Sequence, residues 1–281
     1  MKHILCFGDS NLFGTNPSGG RWPLEQRWTG ILARLLGEGY RIIEEGLGGR
    51  TTCFEDPLEP GRNGSLQLPI MLHSHRPLDL VIISLGTNDC KSLYNNNARV
   101  IAKALEKLSS MVKEYPYGDL YPVPQVLVIS PIHVGQGIEE SPFVSFDRKA
   151  IALSQSLAKE IEAMASKHGL LFFDASLVAA SSDIDALHMD RQGHESLAKA
   201  LLPLLLDWFG DKRPREALDD QFQKRAYTEI GEEGVVEEST LHTSENEGKD
   251  QTESTNKETV TLASPKRGRL PLAFSLFRRK R

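Results

Sequence analysis

The chain has 281 residues, 40% of them hydrophobic and 25% charged, which is enough to bury a substantial core in one large or two small domains. A net charge of −5 gives no reason to expect nucleic acid as a partner. No apolar run approaches the roughly 20 residues that span a bilayer, and three widely spaced cysteines argue against a disulfide framework or a zinc site. We therefore expect a soluble, cytoplasmic protein with no membrane span.

Short apolar runs alternate with helical patterns up to about residue 209. The runs are rich in Ile, Val, Leu and Phe, as in strands covered on both faces. The predicted strands are His3–Gly8, Arg41–Glu45, Asp79–Leu85, Gln125–Pro131 and Leu170–Asp174. The predicted helices are Arg27–Leu36, Leu66–Arg76, Ala98–Lys113, Phe143–Lys167 and Gly193–Phe209. This alternation predicts a parallel sheet with helices on both sides, so residues 1–210 are expected to form one three-layer α/β/α domain.

The first polar motif directly follows the first predicted strand. Ser10 closes the sequence Phe7-Gly8-Asp9-Ser10, at the carboxyl end of a buried strand, where active sites of open α/β sheets lie. Gly8 allows a sharp turn there. The alternative is an ordinary strand-to-helix turn in which Asp9 or Ser10 caps the helix.

Two further motifs follow the second and third predicted strands. Gly46, Gly48 and Gly49 permit unusual backbone angles and close approach of a ligand, although a plain glycine loop has the same composition. Asn88, in Gly86-Thr87-Asn88-Asp89, offers a side-chain amide that could serve as an oxyanion donor. An asparagine at a strand end is otherwise a common turn former.

The last motif is Asp185-Ala186-Leu187-His188, just before the final helix. A serine hydroxyl needs a base to take its proton, and His188 is the candidate base. Asp185 is placed to hold the other nitrogen of that imidazole and to stabilise the imidazolium. His194 has no carboxylate three residues before it and is interpreted as structural.

The composition changes after residue 210. Between Ala226 and Val260 there are ten acidic and two basic residues, and basic clusters flank a short apolar run between Lys266 and Arg281. Such a segment lacks the apolar surface that would offset its ordering entropy, so residues 211–281 are predicted to be a disordered tail, acidic and then basic. A solvated tail is the favoured interpretation, and weak contact of its basic end with an anionic membrane surface is the alternative.

With these four motifs in order, residues 1–209 resemble the SGNH (GDSL) hydrolase family, and in particular its bacterial arylesterase/acyltransferase branch. The resemblance implies a flavodoxin-like sandwich with a five-stranded parallel sheet. It implies that Ser10 is the nucleophile, His188 the base and Asp185 its orienting carboxylate. The oxyanion hole would comprise the backbone N–H groups of Ser10 and Gly49 and the side chain of Asn88.

The expected reaction is hydrolysis of short-chain aryl, alkyl or carbohydrate acetyl esters, with acyl transfer to alcohols as a competing outcome. Phe13, Trp22 and Phe54 are predicted to line the substrate pocket, together with Trp28 and the 133–147 loop, although each aromatic could instead belong to the core or to an oligomer contact.

No cofactor and no metal are expected, since His73, His75 and His133 lack a matching carboxylate pattern. The expected partner is a small-molecule ester, and assembly into a homo-oligomer stays open. The competing hypothesis is a non-catalytic flavodoxin-like binding or scaffold domain.

Overall fold

The computed structural model describes residues 1–212. They form a five-stranded sheet with helices on both faces. The strands are β1 (Lys2–Gly8), β2 (Tyr40–Gly46), β3 (Leu80–Ser84), β4 (Gln125–Ser130) and β5 (Leu171–Asp174). The helices are α1 (Ser10–Phe13), α2 (Trp28–Leu36), α3 (Gly64–His75), α4 (Ala98–Glu114), α5 (Lys149–His168) and α6 (Arg191–Phe209).

The sheet is parallel throughout, with the strand order β2-β1-β3-β4-β5. Successive side chains of a strand point to opposite faces. Leu5 and Phe7 of β1 therefore pack in the core layer under α3, α4 and α5. Ile4 and Cys6 pack in the other layer, under α2 and α6. Burial on both faces explains why the strands are continuous apolar runs rather than alternating ones.

This architecture confirms the predicted α/β fold class and places all five predicted strands in one sheet. The predicted start of the fourth predicted helix at Phe143 is wrong, because the corresponding helix, α5, begins at Lys149. The side chain of Asp147 accepts a hydrogen bond from the Lys149 backbone N–H (2.9 Å), just where the helix starts. Phe146 enters the core from the preceding loop, so its apolar character reflects packing and not helical periodicity.

Asp211, the first residue after the predicted domain boundary, bonds to α6 and to β2. The backbone N–H of Asp211 donates to the Leu206 carbonyl (2.8 Å), and its carboxylate accepts from the Tyr40 hydroxyl (3.0 Å). The rest of the predicted disordered tail, residues 213–281, lies outside the described residues. Within residues 1–212, no helix is long and apolar enough to cross a membrane.

Candidate active site

The first three motifs lie side by side at the carboxyl edge of the sheet. Gly8, the last residue of β1, is in register with Gly46 at the end of β2 and with Ser84 at the end of β3. Each of the three strands is followed directly by one of the polar motifs. The parallel register therefore brings together loops that are separated by about 40 residues of sequence.

Ser10 is the first residue of α1, a single helical turn that starts at the end of β1. The carboxylate of Asp9 caps this turn by accepting from the Asn11 backbone N–H (3.0 Å). Burial raises the pKa of the Asp9 carboxyl. A Cβ atom at Gly8 would lie 2.7 Å from the Ser84 carbonyl oxygen and within 2.9 Å of Leu12, so only glycine fits where the chain turns. The capping role proposed for Asp9 is thus present, and it fixes the turn that carries Ser10.

Asp185 and His188 form a closed turn before α6. The Nδ1 atom of His188 lies 2.6 Å from Oδ2 of Asp185. The other carboxylate oxygen accepts from the backbone N–H groups of Leu187 (3.0 Å) and His188 (2.9 Å). Burial alone would raise the pKa of Asp185, but these hydrogen bonds outweigh it and hold the pKa below its ordinary value. The turn therefore fixes the imidazole and keeps an ionised carboxylate against it.

Asn11 connects this turn to the helical turn of Ser10. Its Nδ2 donates to the Leu187 carbonyl (3.2 Å), and its Oδ1 accepts from the Met189 backbone N–H (2.9 Å). Leu187 and Met189 are the two neighbours of His188 in the chain. Ser10 and His188 share no hydrogen bond within residues 1–212, so it is Asn11 that sets the two elements relative to each other.

The glycine loop and the Asn88 turn also contact each other. The Asn88 Nδ2 donates to the Arg50 carbonyl (3.1 Å). The Arg50 guanidinium in turn donates from Nη1 to the carbonyl of Gly8 (2.7 Å) and from Nε to Gln67 (2.8 Å). Gly49 has φ +76°, in the left-handed region that favours glycine. Asn88 and Gly49 are therefore held at the end of β1, next to the turn that carries Ser10.

Asp89 anchors the far end of the glycine loop. Both of its carboxylate oxygens lie 3.1 Å from the Thr52 backbone nitrogen. The Thr52 hydroxyl donates to the same carboxylate. Burial raises the pKa of Asp89 to about 6. The residue that follows Asn88 thus fixes the loop that contains Gly49.

The aromatic residues predicted to line the pocket have different surroundings. Phe13 is half-buried, with the Arg21 guanidinium 4.1 Å above its ring. The carbonyl of Trp22 accepts from Arg27 (3.0 Å), and Phe54 packs against Tyr94 with ring centroids 5.3 Å apart. Trp28 is 1% exposed and packs in the core, which is the alternative that the sequence left open for it. In the 133–147 loop, Phe143 packs edge-on against the His188 ring, with centroids 5.3 Å apart.

His194 is buried at the start of α6, where its Nδ1 accepts from the Trp28 backbone N–H (3.3 Å). Burial lowers its pKa to about 4, so the ring stays neutral at pH 7.

Of the three histidines considered for a metal site, His73 bonds Tyr115 (2.6 Å) and His75 bonds Glu45 (2.7 Å). No group of three or more metal-ligating side chains occurs in the part of the chain that the structure describes.

Sequence motifs alone missed three residues that organise this site: Asn11, Arg50 and Phe143. Arg50 and Asn11 adjoin predicted motif residues in the chain, and a buried polar side chain beside a predicted site motif is a usable signal. Phe143 gives no comparable signal, because its contact with His188 depends on the path of the 133–147 loop.

The chain is similar to known proteins in both sequence and structure. The sequence profile of the GDSL-like lipase/acylhydrolase family matches residues 6–196. No curated protein sequence matches the chain significantly.

Among solved structures, the native aryl esterase of M. smegmatis is 37% identical, with a TM-score of 0.69, over 74% of this chain and 99% of that one. Est24, a carbohydrate acetylesterase from Sinorhizobium meliloti, is also 37% identical, with a TM-score of 0.70, over 74% of this chain and 100% of that one. A lipolytic G-D-S-L protein from Veillonella parvula DSM 2008 is 15% identical, with a TM-score of 0.53, over 73% of this chain and 98% of that one, which shows the fold alone.

Proposed function

From the premise that the chain belongs to the GDSL-like lipase/acylhydrolase family and is a carboxylic ester hydrolase, we propose that it cleaves short-chain esters through a serine acyl-enzyme. The proposed triad is Ser10, His188 and Asp185. The observation that carries it is the 2.6 Å contact of Asp185 with His188 Nδ1, in a turn that Asn11 ties to the helix of Ser10. A carboxylate at Nδ1 leaves Nε2 of the ring as the proton acceptor.

The proposed reaction has two steps. The Ser10 hydroxyl attacks the ester carbonyl while His188 takes its proton, and the alcohol then leaves with that proton. Water repeats the sequence on the acyl-enzyme, with His188 as base, and releases the acid. If a second alcohol takes the place of water, the product is a new ester, which is acyl transfer.

The proposed oxyanion hole combines the backbone N–H groups of Ser10 and Gly49 with Asn88. The Asn88 Nδ2 carries two hydrogens, and one of them is committed to the Arg50 carbonyl at 3.1 Å. That bond orients the amide, and the second hydrogen is the one assigned to the oxyanion. A donor fixed before the reaction stabilises developing charge without reorganisation.

We expect Asn88→Ala to lower kcat for p-nitrophenyl acetate by about 10²- to 10³-fold, the effect of removing one oxyanion donor. The KM should change little, because the charge that Asn88 meets develops only in the transition state. Steady-state kinetics at pH 7 measures both constants. Asn97→Ala is the matched control, since Asn97 caps α4 by accepting from Val100 (3.1 Å) and has no assigned role in the reaction. An unchanged kcat in Asn88→Ala would show that the oxyanion hole is assigned incorrectly.

We propose short acyl chains, such as acetyl and propionyl, as the substrates. The relatives that support this are described as an aryl esterase and a carbohydrate acetylesterase. Phe13, Trp22, Phe54 and Phe143 are the aromatic candidates for the walls of the site. We also propose a cytoplasmic setting, because all three cysteines are unpaired and Cys6 and Cys90 are buried.

Hydrolysis of p-nitrophenyl acetate, butyrate and octanoate tests this substrate class. We expect kcat/KM to fall steadily with chain length, because the Phe143 ring packs against His188 and no separate lid domain occurs within residues 1–212. A preference for octanoate would contradict the short-chain assignment while leaving the ester hydrolase class intact.

A further inference from the structure

A buried lysine follows the Asn88 turn directly. The side chain of Lys91 is 5% exposed, and its Nζ lies 2.6 Å from Oδ2 of Asp56 and 3.2 Å from Oε2 of Glu59. Both carboxylates belong to residues 53–63, here called the entrance loop, which connects the glycine loop to α3. A cation with so little access to water depends on these two partners.

The ends of the entrance loop are fixed independently of Lys91. The Thr51 backbone N–H donates to the Arg62 carbonyl (2.9 Å), and the Asn63 side chain accepts from the Ser65 N–H (3.0 Å) at the start of α3. In the middle of the loop, Asp56 accepts from the N–H groups of Leu58 (2.9 Å) and Glu59 (3.2 Å). Lys91 bonds this middle portion to the segment that follows β3.

Glu59, one of the two partners of Lys91, also lies against Gly49. A Cβ atom built on Gly49 would lie 2.8 Å from Glu59 Oε2, the very atom that accepts from Lys91, and 3.0 Å from Arg62 Nε. The entrance loop therefore rests directly on Gly49, and the absence of a side chain there allows this approach. Lys91 Nζ, the Glu59 carboxylate and the Gly49 backbone form one continuous set of contacts.

We propose that Lys91 is a positioning residue for ester hydrolysis, which holds the entrance loop on Gly49 and thereby fixes the Gly49 amide relative to Ser10. The inference rests on the proposed function, because the position of this amide matters only if an oxyanion forms beside it. Lys91 itself touches neither Ser10 nor His188. Its effect passes through Glu59 to the glycine loop.

The alternative is that the buried ion pair contributes to stability alone. The two roles differ in kinetics, since a stability role lowers the melting temperature and leaves kcat of the folded enzyme unchanged. A displaced oxyanion donor lowers kcat and leaves KM nearly constant, because the donor acts on the transition state.

The experiment measures kcat, KM and melting temperature of the full chain with p-nitrophenyl acetate. Lys91→Met is expected to lower kcat by about tenfold or more, with KM within about twofold of wild type, since small displacements of catalytic groups cost one to two orders of magnitude. Lys103→Met is the matched control. It breaks an exposed ion pair with Glu106 at 2.6 Å and is expected to leave kcat unchanged.

A second variant decides the question if Lys91→Met does not fold. Glu59→Ala removes the contact of Glu59 with Gly49 but leaves Arg62 beside Gly49 and Lys91 paired with Asp56. The Glu59 side chain is 47% exposed, so the fold should tolerate the change. We expect kcat to fall by about threefold or more in this variant, in the same direction as in Lys91→Met.

A folded variant of either kind with wild-type kcat, or with only its KM raised, would overturn the positioning role. Failure of the proposed function has a different signature, namely a wild-type enzyme whose ester hydrolysis does not depend on Ser10.

Discussion

Ser10→Ala is expected to lower kcat for p-nitrophenyl acetate by about 10⁴- to 10⁶-fold, the range seen when a residue of a serine triad is removed. The change deletes one hydroxyl at the first position of α1, where alanine is a good helix former. Asp9 still caps the turn through the Asn11 N–H, and Asn11 still bonds the neighbours of His188. The melting temperature should therefore stay close to that of wild type while turnover disappears.

Labelling with a serine-directed phosphonate complements the kinetics. Wild type should take up one phosphonate on Ser10, and Ser10→Ala should take up none. Ser18→Ala is the matched control, because Ser18 is an exposed serine in the loop after α1. Its kinetics and labelling should equal those of wild type. A folded wild type with neither turnover nor labelling would favour the non-catalytic binding or scaffold domain.

The fold could be predicted from the sequence because its strands are buried on both faces. Runs such as Leu80-Val81-Ile82-Ile83 have no polar position, which identifies a central parallel strand. The positions of the first three site motifs followed from the same feature, since each of these polar segments begins where an apolar run ends. The start of the helix predicted from Phe143 was wrong because Phe143 and Phe146 continue an apolar pattern but lie in the loop before α5.

The contacts that organise the candidate site could not be predicted in the same way. Asn11 bonds residues 187 and 189, which are 176 and 178 positions away in the sequence. Arg50 bonds the carbonyl of Gly8, which is 42 positions away. Lys91 follows a recognisable motif, yet its partners Asp56 and Glu59 lie in a loop whose path no periodicity encodes. Such pairs become visible only once the sheet register sets which loops are neighbours.

Asp185→Asn is expected to lower kcat by about 10⁴-fold through the tautomer of His188 and not through loss of structure. The Oδ1 atom of Asp185 accepts from two backbone N–H groups, at 3.0 and 2.9 Å, and the amide oxygen of asparagine can keep both bonds. The amide NH₂ then takes the place of Oδ2 and faces His188 Nδ1 as a donor. To accept that bond, the ring must carry its proton on Nε2, where it cannot take the proton of Ser10.

Measurements of kcat, melting temperature and imidazole ¹⁵N shifts separate this effect from a structural one. We expect a near-native melting temperature and a ring protonated at Nε2, whereas the wild-type ring is expected to carry its proton at Nδ1. Asp183→Asn is the matched control, an exposed aspartate two positions away in the same turn, and should retain wild-type kcat. If Asp185→Asn kept kcat within about tenfold of wild type, Asp185 would not be the residue that orients the base, because a wrong tautomer costs far more than that.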